Sequence, residues 1–163
     1  MRTKHWISRG IAYSTTTSLA ALALLMVGGT AGAQQSELEQ NRARWAAAGL
    51  TSYEYAYNKF CECHGEEPPE TVVNVNDGVI VRVHHKHADS GREVPARDGS
   101  LGYYWTVEDL FDLLANAAAG EATVRASYDA TLGYPVRVYV DYRPDLVGDE
   151  VDVRLTRLQA AAP

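Results

Sequence analysis

Two short stretches of this chain gather side chains that bind soft metal ions: Cys61, Cys63 and His64, and then His84, His85 and His87. Thiolate and imidazole are the ligands zinc and copper prefer, and cysteines at i and i+2 of a strand point to the same side. If the second stretch is a strand, His85 and His87 share a face and His84 opposes them. The metal set is then Cys61, Cys63, His85 and His87. A single residue between the cysteines departs from the usual zinc spacing of about two to four. Zinc or copper is therefore the alternative expectation, and the absence of any cofactor the first. The other chemistry open to Cys61 and Cys63 is a bond to one another, favoured wherever a chain with an even number of cysteines meets an oxidising compartment. Extended geometry puts the two Cα atoms near the upper limit of about 6.8 Å, so a disulfide needs a bend there. Gly65 and Pro68-Pro69 supply one, and the bridge Cys61–Cys63 is the preferred reading.

Tyr103, Tyr104 and Trp105 form a candidate binding surface, because rigid amphipathic rings give large contact area at low entropy cost. The competing reading has Trp105 stapling a helix and the tyrosines covering the core edge. Tyr53, Tyr55 and Tyr57 read as sheet packing rather than a binding stripe. Asp141, Asp145, Asp149, Glu150 and Asp152 offer the oxygen ligands calcium takes, but without EF-hand spacing they read as turn residues around Pro144 and Gly148. No G-x-S-x-G, H-E-x-x-H or glycine-rich phosphate loop occurs, so no catalytic residue is assigned and the protein reads as a non-enzyme.

The elements that must position these residues follow from periodicity. Ser36 to Gly49 predicts a helix with Leu38, Trp45 and Ala48 on its apolar side and Gly49 as its stop. The alternation through Tyr53, Tyr55 and Tyr57 predicts a strand. Glu70 to His85 predicts a β-hairpin turning at Asn76-Asp77-Gly78. A three-residue loop would gather Val73, Val75, Val79, Val81 and Val83 on one face, with Gly78 in the left-handed bulge position. Lys86 to Tyr104 is polar and charged, a long loop. Thr106 is a good N-cap with Asp109 three residues on and Trp105 spaced to staple onto Leu110; Gly120 ends that helix. Val124 to Tyr128, Tyr134 to Asp141 and Val151 to Thr156 then alternate as strands. The order is α-β-β-β-α-β-β-β. Short connections favour antiparallel pairing, so the expected fold is α+β, a twisted antiparallel sheet with both helices packed on one face.

Arg2, Lys4 and Arg9, the apolar run Leu19 to Val27 and Ala31-Gly32-Ala33 have the order of a cleavable secretory signal. That run is too short for the roughly 20 apolar residues of a membrane-spanning helix. Residues 1–33 are expected to be removed, leaving one soluble domain over 34–163, exported to the periplasm or the medium. Processing leaves 12 Lys and Arg against 21 Asp and Glu, so the net charge of −6 becomes −9. So acidic a surface repels phosphate backbones and anionic lipid, which argues against nucleic acid as a partner.

In their order and spacing, Trp45 and Tyr53, Cys61-Glu62-Cys63, Val75 to Gly78, Thr106-Val107, Leu110-Phe111, Tyr128-Asp129, Gly133-Tyr134-Pro135 and Asp141 resemble an exported bacterial family catalogued as domain of unknown function 6174. The resemblance runs from about Trp45 to Leu158. Many members resemble lipoproteins, and this chain lacks the lipid-bearing cysteine. The resemblance supports a single domain and brings no activity or catalytic residue with it. The function expected from sequence is a binding module for an unknown protein or envelope component, with a metal-binding protein as the alternative and an unrecognised hydrolase behind both.

Overall fold

A computed structural model of the chain describes residues 29–60, 70–97 and 99–161. Helix α1 covers Gly29–Ala48, followed by strands β1 (Tyr53–Phe60), β2 (Glu70–Asn76), β3 (Val79–Lys86) and β4 (Glu93–Pro95). A 3-10 turn at Leu101–Tyr103 leads to helix α2 (Val107–Ala118), and β5 (Thr123–Tyr128), β6 (Pro135–Asp141) and β7 (Glu150–Ala160) complete the chain. The strands form one open sheet in the order β4-β3-β2-β1-β7-β6-β5, with every neighbouring pair antiparallel. The α+β class and the helix and strand order stand as read from periodicity, with β4 added. The last strand, β7, lies in the middle of the sheet and joins the half built from β1–β4 to the half built from β5 and β6.

Both helices and one face of the sheet enclose a single core. Leu38 and Trp45 of α1 and Leu110, Phe111 and Leu114 of α2 meet Tyr53, Tyr55 and Tyr57, Val73, Val75 and Val83, and Val138, Val140, Val153 and Leu155. The period of two along each strand is what sends these side chains to one face. The buried stripe of α1 is Leu38, Asn41 and Trp45, and Ala48 is exposed. Asn41 takes its place there by donating Nδ2–H to the Glu37 carbonyl at 2.9 Å and accepting from Arg44 at 2.8 Å. The helix also begins earlier than Ser36, because the Ala-Gly-Ala stretch continues its first turns.

The hairpin corrects the expected register. Its loop is Asp77-Gly78 alone, with φ of 47° and 75°, the pair of left-handed conformations that a type I′ turn demands. A two-residue loop leaves the valines split between faces, and a bulge repairs this: Val75 pairs with Ile80 and Asn74 with Arg82, so Val81 is the extra residue. Val73, Val75 and Val83 stay buried, while Val79 and Val81 are 62% and 55% exposed. The segment after Lys86 is not a bare loop either. It doubles back through Gly91, whose N–H reaches the His87 carbonyl at 2.8 Å, and lays β4 along the end of β3.

Thr106 caps α2 as expected. Its hydroxyl accepts from the Asp109 N–H at 3.1 Å and its own N–H donates to the Asp109 carboxylate at 2.9 Å, a reciprocal capping box. The turn before β6 seats α1: Asp129 accepts from Thr131 and Leu132 N–H, and Gly133, at φ 80°, passes so close to the Asn41 carbonyl that a Cβ would sit 2.6 Å from it.

Candidate functional site

With the helices on one face, no described element covers the other face of the sheet. Alternation places there Glu54, Ala56, Asn58 and Phe60 of β1, Val72 and Asn74 of β2, Arg82, His84 and Lys86 of β3, and the charged residues of β5, β6 and β7. These are the positions that punctuate the buried series, and most carry charge.

One cleft, of about 300 Å³, opens over β1, β2 and β3. Its floor is Ala56, Val72 and His84, three residues in register across the strands. Its walls are ion pairs and hydrogen bonds. Arg82 reaches Glu93 at 3.1 Å, Arg157 pairs with Glu70, and Glu54 is held by the side-chain amides of Asn74 at 2.9 Å and Gln159 at 2.6 Å. His84 is only 5% exposed, its Nε2 lies 3.6 Å from Glu93, and its Nδ1 is buried with no hydrogen-bond partner. Burial pulls its pKa below the ordinary histidine value; Arg82 adds to that pull and Glu93 and Glu54 oppose it. Among the described residues no serine or threonine lines this cleft, and each carboxylate in it already has a partner. The arrangement can hold a polar group between its ion pairs.

A second cleft, of about 570 Å³, lies over β1, β7 and β6 and is lined by Lys59, Phe60, Tyr139, Val147, Glu150 and Asp152. Phe60 and Val147 are 47% and 84% exposed. Arg154 stacks over the Phe60 ring at 4.5 Å and Arg125 over the Tyr139 ring at 4.9 Å, contacts that orient a guanidinium without neutralising it. Between them Arg137 forks onto Asp152 at 2.8 and 3.2 Å. Along β6 and β7 the uncovered pairs run Arg137 opposite Arg154, Tyr139 opposite Asp152, and Asp141 opposite Glu150. Charge is thus sorted along the strands, positive at one end and negative at the other.

The residues singled out in the sequence are distributed differently. Cys61, Cys63 and His64 lie outside the described residues. His85 sits on the helix side of β3, in register with Thr71, whose hydroxyl is 3.0 Å from His85 Nδ1. His87 follows the end of β3, and its N–H donates to the Arg92 carbonyl at 3.0 Å. Among the described residues, no three histidines, cysteines or carboxylates converge on a point that could hold a metal ion. Of the acids from Asp141 to Asp152, two are held by different arginines, Asp149 by Arg143 at 3.2 Å and Asp152 by Arg137. Of the aromatic triplet, Tyr103 is 74% exposed, while Tyr104 packs edge-on against Tyr57 at 5.2 Å and Trp105 is half-buried under Lys59. The triplet is thus one exposed ring and two supports.

The tyrosine strand carries structure. Tyr53 donates to Glu108 at 2.9 Å and accepts from the Val107 N–H at 2.9 Å, and Trp45 donates to the other oxygen of Glu108 at 2.8 Å. Tyr55 donates to the Trp105 carbonyl. Burial pushes the phenols of Tyr53, Tyr55 and Tyr57 well above their ordinary pKa, so they act as neutral hydrogen-bonding groups.

The polar residues that alternate with the buried series, Arg137, Tyr139 and Asp141 of β6 and Asp152 and Arg154 of β7 among them, already implied a second face; what sequence reading missed is which of them pair across the strands. No curated protein and no solved structure matches the chain. The family model described as a family of unknown function (DUF6174) matches residues 37–160, the stretch that runs from the first buried turn of α1 to the end of β7, and the chain belongs to that family.

Proposed function

We propose that this protein is an exported, non-enzymatic interaction module that docks a protein or envelope component through the uncovered face of its sheet. The observation that carries this reading is the face itself. It holds two clefts, exposed apolar groups at Phe60 and Val147, and guanidiniums oriented by aromatic rings, while the other face is spent on the core. Interfaces pair apolar anchors with oriented charges in this manner, and arginine and aromatic residues are enriched in them. The 86–104 segment contributes exposed apolar groups of its own at Leu101 and Tyr103.

A photo-crosslinking amino acid at Ser127 on the uncovered face, compared with one at Ala43 on α1, tests this in the producing cell. Discrete adducts from Ser127 and none from Ala43 are expected. Equal labelling from both positions, or none from either, overturns the assignment of the face.

A further inference from the structure

We propose that the partner of the uncovered face is a second copy of this chain, docked face to face about a twofold axis lying in the interface plane; this rests on the reading of that face as a docking surface. The reason is the order of charge across β6 and β7. Arg137 faces Arg154 across the strands and, four residues away, Asp141 faces Glu150. Like charges directly opposite on neighbouring strands destabilise a sheet, and here two such pairs of opposite sign stand about 13 Å apart along the strands. Of these four charges, among the described residues only Arg137 has an ion-pair partner, Asp152. Among the described residues, Arg154 stacks on Phe60 but forms no ion pair, and Arg137 is shared with Asp152. Glu150 accepts only the Gly148 N–H, and one oxygen of Asp141 is buried without a partner.

Between the two pairs runs the row Arg125, Tyr139, Asp152 and Phe60, whose charges cancel. A twofold axis along that middle row reverses the strand direction. It lays Arg137 and Arg154 of each copy over the partner's Asp141 and the partner's Glu150, and it brings the rings of Tyr139 and Phe60 toward the axis. Self-complementarity of this kind is what an isologous interface requires, residue i on j and j on i. A foreign partner would have to reproduce the same positive-to-negative order by chance, whereas a second copy carries it by construction. The acidic excess does not forbid the pairing. The helices carry only part of it, Glu37, Glu39, Glu108, Asp109 and Asp112 against Arg42 and Arg44, a net −3 of the −9, and the rest is screened with a Debye length of roughly 10 Å at about 0.1 M salt.

The test is molar mass in solution by light scattering on the full chain. The expected result is twice the chain mass at about 0.1 M salt, shifting toward monomer at about 1 M. The double variants Arg137→Glu/Arg154→Glu and Asp141→Lys/Glu150→Lys should each be monomeric, and an equimolar mixture of the two should regain the double mass. If a double variant fails to fold, the single changes Arg154→Gln and Glu150→Gln serve in its place, each weakening the wild-type dimer severalfold. A monomeric wild type, a dimer indifferent to these substitutions, or folded double variants that stay apart on mixing would overturn the proposal. A monomeric wild type that still gives adducts of another mass from Ser127 overturns the twofold pairing and leaves the docking face standing. Equal or absent labelling removes both.

Discussion

At the scale of the residue, the polar groups fall into those that are fully partnered and those that are not. Glu108 belongs to the first group. It sits in the first turn of α2, where a carboxylate is favoured by the helix dipole, and accepts from both Trp45 and Tyr53. Tyr53→Phe removes one donor to Glu108 and leaves the buried Val107 N–H without an acceptor, a loss of about 1–3 kcal/mol. Urea unfolding should show it as a lower midpoint with an unchanged slope; an unchanged midpoint would mean that water replaces the hydroxyl. His84 belongs to the second group. Its folded-state pKa lies below the ordinary 6.5, so the fold takes up this proton less readily than the unfolded chain. The stability it contributes is therefore present above 6.5 and lost progressively as the pH falls from 6.5 through the lower folded value. Wild-type unfolding midpoints should drop over that interval, and His84→Gln should flatten part of the drop. Parallel pH profiles for the two proteins would show that His84 does not titrate with folding.

At the scale of the element, the cap of α2 is the feature whose sequence signal and structure coincide most closely. Thr106→Ala removes the acceptor for the Asp109 N–H and should cost about 1 kcal/mol, recovered by Thr106→Ser. Thermal melts of the three proteins check this, and equal melting temperatures for Ala and Ser would reassign the stabilisation to Asp109. The capping box, the existence of a hairpin between Glu70 and His85 and the strand alternations were legible because each is a rule about neighbours in sequence. The misses share the opposite cause. The hairpin register failed because a bulge at Val81, rather than a longer loop, returns Val83 to the buried face and leaves Val79 and Val81 exposed, and nothing local separates the two. Ala48 failed because the stripe of α1 is set by which side meets Tyr53 and Tyr134, and that side includes Asn41. Strand β4 is three residues long and exists only because β3 offers it an edge. The charge order of the uncovered face was illegible for the same reason, since β6 and β7 are separate in sequence and their register is what pairs arginine with arginine.

At the scale of the whole molecule, the placement of the chain ends decides what processing can remove. The C-terminal strand β7 is central and bridges the two halves of the sheet, so that end is indispensable. The N-terminal side is the reverse. Helix α1 starts at Gly29, yet residues 32–37 are exposed and Leu38 is the first buried side chain in it. Among the described residues, the hydrogen bond that ties the helix ahead of Leu38 to the sheet is the Gln34 side chain donating to the Val124 carbonyl of edge strand β5 at 3.0 Å. Cleavage after Ala33 would keep that tie and the described core, and would take only the first turn from α1, and helix ends of this sort fray readily. It would also leave intact every residue of the family match, which begins at 37. The expected outcome is that protein recovered from outside the cytoplasm begins at Gln34 by intact mass, and that a chain starting there melts at the same temperature as the unprocessed one. A lower melting temperature for the shortened chain would show that the first turns of α1 belong to the fold. An exported protein that retains residues 1–33 would show that those residues serve as something other than a cleaved leader.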